Sequence, residues 1–313
     1  MQQASLKPFI YVGDVHLRSS NPRAWKASYK DEIFQHLASI RQLAEDVGAC
    51  AVVFGGDIGH ESDWKMSLLN SATRALGEFK VPLFSAIGNH DVSNRALATY
   101  EESALWALEH NGVLHVPSTV DPQKVDGWGF TFFHSDTPEA AELMAGTWQA
   151  PAKDEDVLYQ VAVAHIPVGP TTTPSYRGVR SLLVPGFDVL CVADIHKPFP
   201  PTKLETGCVV INTGILERMT REERNQTPQV AVVYSPERVE YVKLPTAKDV
   251  KELFNPAFLA EKELNEALGE EFLEKLESLS EVEEESEEDR VRIMGKELDI
   301  LPESIDLVLE LMK

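Results

Sequence analysis

Apolar runs at Phe9 to Val12, Ala51 to Phe54, Leu83 to Ile87, Gln160 to Ala164 and Val189 to Val192 each lead into a short turn rich in chemistry-bearing side chains. The turns are Gly13-Asp14-Val15-His16, Gly55-Gly56-Asp57-Ile58-Gly59-His60, Gly88-Asn89-His90-Asp91, Ala164-His165-Ile166-Pro167 and Ala193-Asp194-Ile195-His196. Runs this short and apolar read as largely buried strands. A buried strand that ends in carboxylate, imidazole and amide groups gathers oxygen and nitrogen ligands at one edge of a sheet, where open α/β folds place their sites.

Between the first three runs lie helical patterns, roughly 29–45 and 65–79, and a third follows over 96–110, giving βαβαβα order. The remainder of the body is richer in strand signals, at 129–133, 208–211, 229–234 and 238–244, with Pro and Gly punctuating the loops. A parallel half followed by a more antiparallel half predicts two sheets packed face to face with helices outside. The length of 313 residues suits one large core with a small appendage.

Past Pro245 the composition shifts. Residues 256–279 form an amphipathic helix candidate, with Leu264, Leu268, Phe272, Leu276 and Leu279 on one stripe. An acidic run follows at 281–289, and 290–313 holds two short helical patterns separated at Leu301-Pro302. The expected organisation is a body over 1–247, a helical extension over 248–280, an acidic linker over 281–289 and a short helical module over 290–313. The formal charge of -21 is uneven: from Lys248 to Lys313 there are 21 acidic and 8 basic residues, so the tail carries most of the acidity. No apolar run approaches the ~18 residues of a membrane span. Cys50, Cys191 and Cys208 sit in apolar runs without Cys-x-x-Cys spacing, which points to reduced core cysteines and a cytoplasmic location.

Hydrolysis of a phosphate ester needs a nucleophile generated from water near neutral pH and neutralisation of charge on the phosphorus oxygens, and two divalent ions supply both. Asp57, following a strand and two glycines, suits a carboxylate shared by both ions. Asp14, His16 and His196 would complete one ion, and Asn89, His165 and Asp194 the other. Carboxylate, imidazole and amide donors without thiolate favour manganese, with magnesium, iron and zinc as alternatives. His90 is adjacent to Asn89, so its side chain diverges toward substrate, placed to hydrogen-bond the phosphate or to protonate the leaving oxygen. Asp91 is expected to orient His90, and His60 to face the same cleft as a second imidazole. Any one of these motifs alone is more often an ordinary turn or cap; five in one chain, mostly at strand ends, are not. His36, His110, His115 and His134 match no motif and read as surface or structural residues.

The D-x-H, G-D, G-N-H-D, H and x-x-H series resembles the calcineurin-like metallophosphoesterases. The resemblance implies a double β-sandwich flanked by helices, here with a small helical C-terminal extension, over a two-metal site. Gly55 to His60 is further similar to the G-G-D-x-x-H of the SbcD-type recombination nucleases. Asn212-Thr213-Gly214-Ile215-Leu216-Glu217-Arg218, followed by Glu222 and Glu223, resembles their G-S-x-E-R segment, and 238–246 resembles the strand that closes their phosphoesterase domain. The likeness spans about residues 8 to 246. It implies a metal-dependent DNA exonuclease or endonuclease subunit acting in repair or recombination. Its partner would be an SMC-like, SbcC-type ATPase gripped by the C-terminal helices, with Leu298, Leu301, Ile305, Val308, Leu309 and Met312 as the surface. A homodimer is compatible with this reading. An acidic body with no evident basic patch would take much of its DNA grip from that ATPase. A small-molecule phosphodiesterase or a protein phosphatase on the same ligand set is the alternative, and a catalytically weak scaffold subunit the second. One departure stands out: the family's fifth motif is G-H-x-H, and its first histidine is replaced here by Asp194, which implies either a harder second metal site or an aspartate that falls short of the metal and binds through water.

Overall fold

The computed structural model describes residues 6–220 and 222–255. The compact unit considered below ends at Leu253. The helix expected over 256–279, the acidic run and the module over 290–313 lie outside the described residues.

The chain opens with strand β1 (Phe9–Val12), helix α1 (Tyr29–Val47), β2 (Ala51–Phe54), α2 (Met66–Gly77) and β3 (Leu83–Ser85). A short helix α3 (Ala104–His110) then leads to β4 (Gln123–Val125), β5 (Trp128–Phe133), α4 (Pro138–Ala145) and β6 (Tyr159–His165). Two minimal strands, β7 (Val168–Gly169) and β8 (Arg177–Gly178), precede β9 (Val189–Ala193), β10 (Phe199–Lys203) and β11 (Val209–Asn212). The hairpin of β12 (Gln229–Ser235) and β13 (Arg238–Lys243) and one helical turn, α5 (Val250–Leu253), complete the unit.

One sheet has the order β13-β12-β1-β2-β3 and the other β10-β11-β9-β6-β5-β4. Alternate residues point to opposite faces of a strand. Thus Phe9, Tyr11, Val53 and Val233 of the first sheet share a buried core with Phe130, Phe132, Val163, Cys191 and Ile211 of the second. The sandwich is therefore closed by side chains of one parity from both sheets. The opposite parity of the second sheet, including Ala162, Ala164, Leu190 and Val192, packs against Ala140 and Leu143 of α4. Helix α1 buries Ile33, Leu37, Ile40 and Ala44 at three- and four-residue spacing, starts at Ser28, whose side chain accepts from Asp31 N, and stops at left-handed Gly48.

The expected antiparallel character of the second half holds for the β12–β13 hairpin, which pairs antiparallel with β1, but in the other sheet only at the edges. β5, β6, β9 and β11 run parallel, and β4 and β10 add antiparallel strands outside them. The crossovers there are made by loops and the short helix α4 rather than by long amphipathic helices, so the pattern that marks a parallel unit is missing from the sequence. The helix expected over 96–110 begins only at Ala104, because the Ser103 side chain accepts from Trp106 N and caps a new helix; the preceding 97–102 is a 3₁₀ stretch. All three cysteines are buried and free. Among the described residues no helix is long and apolar enough to cross a membrane.

Candidate metal centre

The central strands β1, β2, β6 and β9 bring their C-terminal turns to one edge of the sandwich. Tyr11 OH of β1 donates to the Val192 carbonyl of β9 at 2.7 Å and fixes one sheet against the other beneath those turns. The turns after β1 and β2 are zipped together: Val15 N and His16 N both donate to the Asp57 carbonyl, and Leu17 N donates to Ile58 O. His16, Asp57 and Asp194 all have positive φ, at 52°, 48° and 86°. Non-glycine residues hold that conformation only where the surroundings over-determine it, which is a feature of functional sites. Gly88 packs so closely that a β-carbon there would overlap Asp57 Oδ1, and one at Gly56, with φ of 113°, would lie 2.6 Å from His165 Nδ1. The two glycines let two loops approach the same carboxylate and imidazole.

Seven predicted ligands converge. Asp57 Oδ2 lies 3.6 Å from His16 Nε2 and 3.5 Å from His165 Nε2, so one oxygen sits between two donor groups. On one side, His16 Nε2 is 3.0 Å from His196 Nε2, and Asp14, His16 and His196 are close enough to hold one ion. On the other, His165 Nε2 is 3.1 Å from Asn89 Oδ1 and 3.7 Å from Asp194 Oδ1. Asp14, Asp57 and His165 also form a group of metal-holding size. Asp194, which stands in place of the family's histidine, thus reaches the second group through Oδ1, while its backbone N–H donates to Asp14 at 3.1 Å.

The electrostatics suit a cation. Burial, with Asp14 and Asp194 nearby, pushes the Asp57 carboxyl up to about 6 against the pull of His165. Burial opposes a proton on His165, yet Asp57, Asp14 and Asp194 outweigh it and push that imidazole up to about 9. His16 is held well below its ordinary value by burial and by His196, His90 and His60. Among the described residues, no lysine or arginine ion-pairs with Asp14, Asp57 or Asp194. Three carboxylates and three imidazoles packed this way fit divalent ions by donor chemistry and by charge.

Backbone and side-chain partners fix the rings. His165 Nδ1 pairs with the Gly55 carbonyl at 3.1 Å, and His196 Nδ1 lies 2.5 Å from Glu223 Oε1, so each turns Nε2 to the cluster. Glu223 was not singled out as a site residue from sequence. It lies 27 positions from His196, and its other oxygen accepts from Met219 N and Thr220 N.

His90 and His60 stand beside the ligands. Their rings lie 5.3 Å apart and nearly parallel, and each is 5.0–5.4 Å from the His16 ring. Burial, Arg18 and the neighbouring imidazoles lower His60 to about 4. The expected role of Asp91 is corrected. Its carboxylate accepts from Gly59 N at 3.0 Å and Gly88 N at 2.9 Å, bracing the turns after β2 and β3. His90 Nδ1 instead pairs with the His60 carbonyl at 2.8 Å. The buried Asp91 oxygens are consumed by two backbone donors that have no other partner to satisfy them at that depth.

Residues 7–198, more than half of the chain, match the family described as calcineurin-like phosphoesterase. The chain belongs to the calcineurin-like phosphoesterases. No curated protein sequence matches this phosphoesterase. Among solved structures it is similar to a dimetal phosphatase from Danio rerio at 12% identity and a TM-score of 0.46, over 77% of this chain and 100% of that one. Another crystal structure is similar at 13% identity and a TM-score of 0.45, over 76% of this chain and 99% of that one.

The remaining histidines of the phosphoesterase are structural or superficial. His36 is buried between Glu217 at 2.8 Å and Thr246 at 2.7 Å, His134 Nδ1 accepts from Ile87 N, and His110 and His115 are exposed.

Proposed function

We propose that this phosphoesterase is an SbcD-type DNA nuclease that hydrolyses phosphodiester bonds with two divalent ions, manganese first among them, in concert with an SMC-like ATPase. The observation that carries the reading is the placement of 212–223, the segment that resembles the nuclease branch. It is part of the metal centre. Gly13 N donates to Thr213 Oγ1, Leu216 N donates to the Asp14 carbonyl at 2.7 Å, and Glu223 holds His196. The segment that resembles the nuclease branch thus supports the ligand shell directly.

Two bound ions would supply activated water near neutral pH and neutralise the phosphoryl oxygens. Asp57, with Oδ2 between the two donor groups, would be shared by both ions. Its other oxygen accepts from His90 N at 2.8 Å, so the turn that carries His90 is registered to the shared carboxylate. With Nδ1 held by the His60 carbonyl, the His90 ring presents Nε2 to protonate the leaving oxygen. His60 lies against the same face and would position the phosphate. Metal identity, DNA as substrate and the ATPase are parts of the proposal.

The test is manganese-dependent cleavage of linear DNA by the full chain, with and without a co-purified ATPase. Cleavage that rises with the partner supports the reading. Efficient turnover of nucleotide diesters or phosphoproteins with no action on DNA would replace it with a small-molecule phosphodiesterase or a phosphatase, and inactivity with every divalent ion would leave a scaffold.

A further inference from the structure

His16, His60 and His90 form a group that contains no carboxylate. Nitrogens of the three rings lie within 4.8 Å of one another. The ring centres make a nearly equilateral triangle, with sides of 5.4, 5.0 and 5.3 Å. A tetrahedral zinc ion bonded to three imidazole nitrogens at about 2.0–2.1 Å sets ring centres about 5 Å apart, so the triangle has the size such an ion requires.

Two of the three rings carry a nitrogen without a hydrogen-bond partner. His16 Nδ1 and His60 Nδ1 are buried without a hydrogen-bond partner, although a buried polar atom is normally satisfied. His90 Nδ1 is taken by the His60 carbonyl, which leaves Nε2 free.

We propose that His16, His60 and His90 form a third divalent-ion site, selective for zinc over manganese or magnesium, whose filling silences the enzyme. Donor type sorts the ions. The two groups that contain Asp14 offer carboxylate oxygen, which suits manganese and magnesium, whereas three neutral imidazoles suit zinc.

Inhibition follows from which residues are consumed. A zinc ion on this triangle occupies His90, whose Nε2 faces the substrate, and so takes the proton donor out of turnover. Zinc binding depends on the three rings alone, whereas the silencing rests on the role proposed above for His90 and not on DNA or the ATPase.

The experiment separates the groups by mutation. Asp14→Asn weakens both carboxylate-containing groups and leaves the triangle whole, while His60→Ala removes a corner of the triangle and touches neither of the others. Zinc binding to the full-length chain is measured against a competing chelator, and cobalt(II) reports geometry by its visible absorption, which is intense for a tetrahedral site. Asp14→Asn should retain one tight zinc equivalent and the tetrahedral cobalt band, and adding His60→Ala should abolish both. Loss of zinc from Asp14→Asn in a folded protein, or retention after His60→Ala, overturns the proposal. Should Asp14→Asn fail to fold, His60→Ala in the otherwise unaltered chain decides: it should bind one zinc equivalent fewer and the same number of manganese ions, and an unchanged zinc count overturns the site.

Discussion

Glu223 Oε1 lies 2.5 Å from His196 Nδ1, across 27 positions of sequence, and points the other nitrogen of that ring at His16. Burial works against ionisation of Glu223, but His196 and the N–H groups of Thr220 and Met219 outweigh it and keep the carboxyl below its ordinary value. A carboxylate behind a ligating imidazole fixes its tautomer and raises its basicity, and its loss typically costs 10–100-fold in metal affinity. Glu223→Ala is expected to weaken manganese binding by about that factor in a calorimetric titration. Glu223→Gln, which still accepts hydrogen bonds from the backbone, should lie between the variant and the parent. Equal affinities in all three would remove Glu223 from the ligand shell.

Gly88 supplies a steric prediction at the same centre. A β-carbon at this position would overlap both the backbone nitrogen and Oδ1 of Asp57, so Gly88→Ala must move the carboxylate shared by the two donor groups. Overpacking of this kind costs about 1–3 kcal/mol, which a fold of this size can survive. The variant should therefore remain folded by circular dichroism, melt at lower temperature, and bind fewer manganese ions per chain.

How much of this was legible in the sequence depended on how local each signal was. β1 and β2 appear at the residues where apolar runs placed them, because a buried strand needs only its own side chains to announce it. β10 was not legible: Phe199-Pro200-Pro201-Thr202-Lys203 contains two prolines, which an edge strand tolerates and a sequence pattern reads as loop. α4 carried readable signals, Thr137 as cap, Pro138 at the first turn and left-handed Gly146 at the end, but its eight residues are too few for a clear apolar period. The ligands were visible because each terminates a strand. Their supports were not. Glu223 lies in the charged stretch 221–224, which the resemblance covers without giving Glu223 a role, and only the return of the chain after β11 places it against His196. The error over Asp91 has the same origin, since adjacency to His90 suggested a partnership that backbone donors from two other turns had already claimed.

A pH dependence follows from Glu217, which is fully buried between His36 Nε2 at 2.8 Å and Arg218 Nε at 3.0 Å. Burial disfavours its charge, yet His36 and Arg218 outweigh burial and hold the carboxyl below its ordinary value. A depressed folded value means that the unfolded chain binds the proton more readily. The stabilisation is thus complete above the unfolded carboxylate value of about 4.3 and is lost as pH falls through the lower folded value. Glu217→Gln should cost up to about 3–5 kcal/mol near neutral pH, because Arg218 is left buried without its counter-charge. The gap in melting temperature between variant and parent should narrow as the pH drops below 4. A gap that stays constant or widens in acid would show that the Glu217 charge is not what stabilises this contact.

His90 offers the sharpest separation between holding metal and using it. Its backbone N–H donates to Asp57 Oδ1 and its Nδ1 pairs with the His60 carbonyl, so the main chain fixes the turn while the side chain leaves Nε2 toward the open side of the cluster. Replacing the ring leaves Asp14, His16, His196, Asp57, Asn89, His165 and Asp194 in place. His90→Ala is therefore expected to bind manganese with unaltered stoichiometry and lose about 10²–10⁴-fold in turnover, the range typical of a deleted proton donor. The deficit should shrink for a diester whose leaving group is already a weak base, such as a nitrophenolate, because that oxygen departs without a proton. A loss of manganese would move His90 into the ligand shell. A deficit of equal size for good and poor leaving groups would assign the ring to phosphate binding rather than to proton transfer.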